Sequence, residues 1–319
     1  MIVSLAPLGY NNSIMFIAII FGAFGLIVGS FLNVLIVRWG TRSLTGRSAC
    51  MSCGRTIPWY DLVPIFSWIL LGGRCRLCGS RISLQYPLVE SGTGLLFFII
   101  GLAPLPLYAH LLALPIAAVL FAIAVYDLKY TLIPDAWVWT FNGLTLFLIF
   151  AFPLQATGSM LPAFLAGPVV AAPLFAFWFF SKGAWMGFGD VKLALGMGWL
   201  LGIGDGLFAL FFAFILGALV SVPLLFFSSP LWQKIVEGFT RTPMVSLPLF
   251  FRKLQQYVSR SVSDENSAFI PSGGKKTKTP LVFGFTMKSE IPFGPFLIAA
   301  TLIVWISNMN GFAPINLLL

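Results

Sequence analysis

Eight apolar runs dominate this chain and confine it to a membrane. They are Ser13–Val37, Pro87–Leu102, Leu105–Val125, Asp135–Phe150, Leu161–Phe180, Val191–Ile203, Leu207–Phe227 and Phe293–Ile306. About 20 apolar residues in a helix cross a bilayer core of about 30 Å. A soluble core would account for one or two such runs, not eight. The composition agrees, with 59% hydrophobic residues and only 9% charged, where a soluble domain carries about a quarter charged. The expected fold is an all-α polytopic membrane protein of about eight transmembrane helices.

The net charge of +9 would suggest nucleic acid in a soluble protein. Its placement argues against that partner. With the N-terminus external, the internal segments become 38–86, 126–134, 181–190 and 228–292, and they hold 18 of the 19 Lys and Arg. Lys192, the last, lies in the first turn of a helix and can snorkel to the same face. The external segments hold none, as the positive-inside rule requires. The basic surplus therefore reports topology, with some attraction to anionic lipid. No cleavable signal is expected, because no basic residue precedes the first run and that run is longer than a signal core.

The polar links divide the chain. Residues 1–37 form the first helix. Residues 38–86 form a small internal domain, 87–228 a six-helix core, 229–290 a basic insertion, and 291–319 the last helix and tail. Within the small domain, Leu62–Leu71 is apolar but too short to span. It either packs on that domain or lies at the membrane surface. In the insertion, Pro248–Arg260 has the spacing of an interfacial amphipathic helix. Ser261–Pro280 has the composition of a flexible linker. No internal repeat suggests a transporter.

All four cysteines lie in the small domain, as Cys50-Met-Ser-Cys53-Gly54 and Cys75-Arg-Leu-Cys78-Gly79. A two-residue spacer lets both thiolates reach one tetrahedral ion, and the following glycine lets the backbone turn tightly. Two disulfides are the alternative, disfavoured on a reducing cytosolic side. The expectation is a zinc-ribbon-like insertion whose four thiolates hold a structural Zn2+. Arg55, Arg74, Arg76 and Arg81 would offset its charge.

Among ten acidic residues, Glu90, Asp127, Asp135 and Asp190 fall in or at the ends of apolar helices. Ionisable groups there are expensive and mark function by default. Asp127 ends one helix, Asp135 opens the next after Pro134, and Asp190 opens another in Gly187-Phe188-Gly189-Asp190-Val191-Lys192. All three belong to one membrane face, so packing can pair Asp127 with Asp190. Two adjacent carboxylates share one proton, which suits acid–base hydrolysis. The glycines would keep bulk away from an approaching substrate backbone. The competing reading makes Asp127-x-Lys129 and Asp190-x-Lys192 local ion pairs and Asp135 a helix-start residue. Glu90 is either a ligand for an ammonium or cofactor, or a buried structural carboxylate. His110 lies toward the external face and is read as incidental.

The combination is more specific than its parts. Gly29-Ser30-Phe31-Leu32-Asn33-Val34 precedes the double Cys-x-x-Cys loop, which encloses Pro58-Trp59-Tyr60-Asp61-Leu62-Val63-Pro64. Gln85-Tyr86-Pro87-Leu88-Val89-Glu90, Asp127, Ile133-Pro134-Asp135, the Gly-x-Gly-Asp-x-Lys element and Ile291-Pro292-Phe293-Gly294-Pro295-Phe296 follow in order. This succession resembles the type IV prepilin peptidases, also called leader peptidase/N-methyltransferases. The resemblance spans the chain except about 229–286. It departs where Trp39-Gly40 follows Arg38 and in the long insertion.

The resemblance implies an intramembrane aspartyl peptidase of the bacterial inner membrane, with its zinc loop in the cytosol. Its substrates would be prepilins or pseudopilins. Asp127 and Asp190 would be catalytic, with Asp135, Gly187, Gly189, Lys129, Lys192 and Glu90 supporting them. S-adenosylmethionine would then methylate the new N-terminus. No Gly-rich nucleotide-binding element is present, so no residue is assigned to that donor. An ion-coupled carrier and a non-catalytic zinc-ribbon scaffold are the alternatives.

Overall fold

The computed structural model describes residues 12–40, 43–151, 160–228 and 292–311. The amphipathic segment and linker expected within 229–290 lie outside these residues. The described chain is helical, with α1 (Asn12–Arg38), α2 (Phe66–Leu70), α3 (Gln85–Gly101), α4 (Leu107–Tyr130), α5 (Asp135–Ala151), α6 (Met160–Phe180), α7 (Phe188–Ser228) and α8 (Gly294–Met309). Among the described residues there is no strand, only two isolated antiparallel bridges in the small domain.

Helix α7 contains both the sixth and the seventh apolar runs. Its helical geometry breaks at Gly202, where φ is 83° and ψ is −177°. A side chain at Gly206 would place its Cβ 3.5 Å from the Cα of Gly198. Residues eight apart in an unbroken helix lie about 12 Å apart. The chain therefore reverses at Gly202, and α7 is a hairpin of two arms. Among the described residues, four helical segments are long and apolar enough to cross a membrane by length and composition: Asn12–Arg38, Leu107–Tyr130, Met160–Phe180 and Ile203–Pro223. The others are shorter, among them Asp135–Phe150 and Gly294–Met309.

Helices with apolar surfaces gain little from hydrophobic burial inside lipid, so their seams use small residues that let backbones approach. Gly22, Gly25 and Gly29 of α1 fit this pattern. A Cβ on Gly25 would lie 2.8 Å from the Thr93 carbonyl, and one on Gly29 would lie 2.7 Å from the Cα of Glu90. The seam runs antiparallel, since Gly101 at the far end of α3 meets Ala18. Gly167 and Gly198 join α6 to the first arm of α7 in the same way. Helices α5 and α8 each pack against both α4 and α7, which have no comparable interface of their own. The relative position of α4 and α7 is thus set by α5 and α8.

Candidate active site

Asp127 and Asp190 are both buried. Asp127 sits in the last turn of α4. Thr131, in the left-handed region at φ 51°, ends that helix by returning its amide to the Asp127 carbonyl oxygen at 2.8 Å. The chain then passes Ile133 and Pro134 into α5. Asp190 sits in the first turn of α7, where its amide donates to the Gly187 carbonyl at 3.3 Å. The two carboxylates are near enough for the charge of Asp127 to act on Asp190. The Oδ1 atom of Asp190 is buried and accepts no protein hydrogen bond.

Asp127 is met by a residue that the sequence reading did not assign to the site. The amide of Gly294, the first residue of α8, donates to the Asp127 carboxylate. A Cβ on Gly294 would lie 2.5 Å from Asp127 Oδ2 and 3.1 Å from Ile133 Cδ1. Only glycine allows α8 to start against the carboxylate. The Phe293-Gly294-Pro295 sequence was the available signal, because proline marks a helix start and a glycine beside it marks a close approach. Ile133 also touches the other carboxylate's element, since a Cβ on Gly189 would lie 3.1 Å from Ile133 Cβ. Gly189 therefore makes room for Ile133. A Cβ on Gly187 would meet the Gly189 amide nitrogen at 3.9 Å.

Among the described residues, Lys192 pairs with Asp135 and not with Asp190. Residues two apart on a helix point in different directions. Lys192 crosses from α7 to α5 and binds Asp135, with Nζ 2.6 Å from Oδ1. Lys129 reaches Gln85 Oε1 at 2.9 Å and lies over the Tyr130 ring. Asp135 thus ties helices together without joining the two buried carboxylates. Asn142, two turns further along α5, is buried and donates to the Lys192 carbonyl at 3.2 Å. Lys192 is held at both its side chain and its backbone, two residues from Asp190. An aromatic group borders the Asp127 side: Tyr126 packs edge-on against Trp137, and Trp137 against Trp39, each at 5.1 Å.

Glu90 and His110 lie apart from this constellation. Glu90 is buried against α1 and accepts hydrogen bonds from the Ile65 amide, at 2.8 Å, and from Ser30. His110 is buried, with Nε2 3.2 Å from the Ile100 carbonyl and its ring 5.3 Å from that of Phe21. Its role there is structural.

The four cysteines form two copies of one turn. In the first, the Cys50 amide donates to the Arg55 carbonyl, and the Gly54 amide to the Cys50 carbonyl, both at 2.9 Å. In the second, Cys75 pairs with Ser80 at 2.8 Å and Gly79 with Cys75 at 2.9 Å. Gly54 and Gly79 have φ of 70° and 69°, the left-handed conformation each turn needs. The four sulfurs lie within 4.8 Å of one another, and the Cys50 and Cys78 sulfurs are 3.7 Å apart. A tetrahedron with metal–sulfur bonds of about 2.3 Å has edges of about 3.8 Å. The sulfur set therefore fits one tetrahedral cation.

The thiols respond to this crowding. The Ser80 hydroxyl holds the Cys78 thiol below its usual range. Although burial opposes it, hydrogen bonds from the Cys53 and Ser52 amides and Ser80 bring Cys50 down to about 6. Cys53 receives the Arg55 amide, yet burial and its two thiol neighbours push it up to about 11. Of the arginines expected to offset thiolate charge, Arg76 is committed to Asp61 at 2.6 Å.

Residues 23–103 match the Bacterial Peptidase A24 N-terminal domain, and residues 114–222 match the Type IV leader peptidase family. The Prepilin leader peptidase/N-methyltransferase of Vibrio cholerae is 34% identical over 203 residues, covering 58% of this chain and 78% of that protein. The protein of the same name from Klebsiella pneumoniae is 36% identical over 197 residues, covering 56% and 82%. That from Myxococcus xanthus is 41% identical over 132 residues, covering 41% of this chain and 39% of its own length. No solved structure matches.

Proposed function

This chain belongs to the type IV leader peptidase family, and we propose that it cleaves the basic leader of prepilins or pseudopilins and then N-methylates the new terminus. The observation that carries the peptidase reading is the pair of buried carboxylates, Asp127 and Asp190, with the Gly294 amide fixed on one of them. One carboxylate takes a proton from water while the other, protonated, gives its proton to the scissile carbonyl oxygen. The water oxygen bonds to the carbonyl carbon. The tetrahedral intermediate then collapses, the C–N bond breaks, and the amine leaves with a proton from the dyad. Gly294 holds Asp127 in one orientation through these steps, and the Asp135 and Asn142 contacts hold the helix that carries Asp190.

The asymmetry of Lys and Arg supports an inner-membrane orientation with the N-terminus outside and residues 38–86 in the cytosol. Residues 87–228 then carry the peptidase core. The four cysteines would hold Zn2+, whose closed thiolate set suits a structural ion rather than a hydrolytic one. S-adenosylmethionine supplies the methyl group. Among the described residues no Gly-rich strand–turn–helix presents itself for that donor, so no residue is assigned to methyl transfer.

The test uses the purified protein in detergent with a synthetic prepilin, followed by mass spectrometry. Leader loss with wild type but not with Asp127→Asn or Asp190→Asn supports the dyad. A further gain of one CH2 with S-adenosylmethionine supports the second activity. Full cleavage by either variant removes the dyad assignment.

A further inference from the structure

The segment Leu62–Leu71 was expected either to pack on the small domain or to lie at the membrane surface. Helix α2 divides the two roles between its faces. Trp68 turns inward: its indole lies 2.7 Å from where a Cβ on Gly73 would sit, and its Nε1 donates to the Ile82 carbonyl at 3.4 Å. Phe66, Ile69 and Leu70, spaced to share the opposite face, are 64%, 62% and 84% exposed. Such a face needs an occupant, and the way the chain enters α2 identifies it.

Ile65 has φ 61° and ψ −52°, and the Phe66 amide donates back to the Pro64 carbonyl at 2.6 Å. This is a strained three-residue γ-turn, and a β-branched residue at positive φ is a true outlier. Strain persists only where the surroundings over-determine it. Here the Ile65 amide is bound by Glu90, whose carboxylate is buried in the α1–α3 seam. Glu90 lies five residues past Gln85, about 7.5 Å along the axis of α3. The segment between the two cysteine turns is therefore drawn past the first turn of an apolar helix, to a level where Leu88 of α3 is itself exposed. Interfacial helices bury their apolar face to about 5–10 Å. The charges fit the same occupant. Arg47, Arg55, Arg74, Arg76 and Arg81 flank the segment along the chain, and Asp61, the only acid among residues 38–86, is bound to Arg76. Trp59 and Tyr60, aromatic residues of the kind that settle at headgroups, are exposed beside it.

We propose that α2 is an interfacial membrane helix whose Phe66, Ile69 and Leu70 enter the boundary between anionic headgroups and acyl chains, at a depth fixed by the Glu90 bond to Ile65. The small domain is thereby seated on the bilayer and cannot swing freely from its two tethers. This inference rests on α1 and α3 lying in lipid and is independent of the cleavage reading.

The test places p-benzoylphenylalanine at Ile69, Leu70, Leu77 or Phe16 in the full-length protein. The protein is reconstituted in vesicles of phosphatidylglycerol and phosphatidylethanolamine. Leu77 is an exposed control in the second cysteine turn, and Phe16 is an exposed control on α1. After irradiation, the yields of lipid adduct at 69 and 70 match that at 16 and exceed that at 77 by at least about fivefold. Glu90→Leu lowers the yield at 70 toward that at 77. Glu90→Gln, whose amide oxygen still accepts the Ile65 amide, keeps it. A yield at 70 no higher than at 77, with Phe16 labelled normally, overturns the proposal. So does crosslinking of position 70 to a second copy of the chain, or to added prepilin, in place of lipid.

Discussion

The cysteine turns and the carboxylate site are built by opposite means. Each turn is a local object: six consecutive residues, two backbone hydrogen bonds and one left-handed glycine, repeated almost unchanged. The carboxylate site has no local design. Asp127 comes from α4, Asp190 from α7, the spacer Ile133 from the link between α4 and α5, and the amide that fixes Asp127 from the start of α8. The first should survive changes in helix packing, and the second should not. Local geometry can gather four thiols, whereas the proposed hydrolysis needs two carboxylates, sharing one proton, that the chain delivers from distant segments.

The sharpest test of that contrast is charge removal. Asp127→Asn or Asp190→Asn is expected to lower prepilin cleavage by about a thousandfold or more, with metal content unchanged by elemental analysis. Loss of metal in either variant would mean that the two regions are not independent. Next in size is Gly294→Ala. The added methyl displaces Asp127 and is expected to cost about a hundredfold in kcat, the usual penalty for a misplacement of about 1 Å, with little change in KM. Unchanged kcat would show that the start of α8 does not set the dyad.

Chelation of the metal, or Cys53→Ser, should act in the reverse sense. Metal content falls to near zero and trypsin cuts at the arginines between Arg47 and Arg81. Cleavage of prepilin falls by no more than about tenfold, because metal binding is coupled to the folding of its own loop. The smallest effect belongs to Asp135→Asn. Its carboxylate is mostly exposed, so loss of the bond to Lys192 should cost within about 1 kcal/mol, read as a small fall in melting temperature in detergent.

The same contrast explains what was legible. The metal set could be read from spacing alone, because all its information lies within two short stretches. The carboxylates were visible too, as rare charges in apolar helices, and the eight runs correspond to eight helical segments once the reversal at Gly202 is counted. What escaped was what neighbours do. A backbone amide has no residue signature, so Gly294 was read as part of a resemblance and not as a donor. The partner of Lys192 was the distant Asp135 rather than Asp190, two residues away on the same helix. Gly189 makes room for Ile133 across the fold, a fact that no window around Gly189 contains. Glu90 was left open between a ligand role and a buried structural one; it is buried, and its bond to the strained Ile65 depends on a turn that sequence patterns do not encode.

The reversal at Gly202 also decides where the chain can be lengthened. On the returning arm, Phe214 is already level with the start of α8, its ring 4.8 Å from that of Phe293. Helix continues to Ser228, about 20 Å further at 1.5 Å per residue. A spacer of helix therefore stands between the carboxylates and the point where residues 229–291 begin. Sequence added at that point is mechanically remote from the dyad, so it offers a position for grafting tags or whole modules onto the enzyme while its catalytic distances stay fixed.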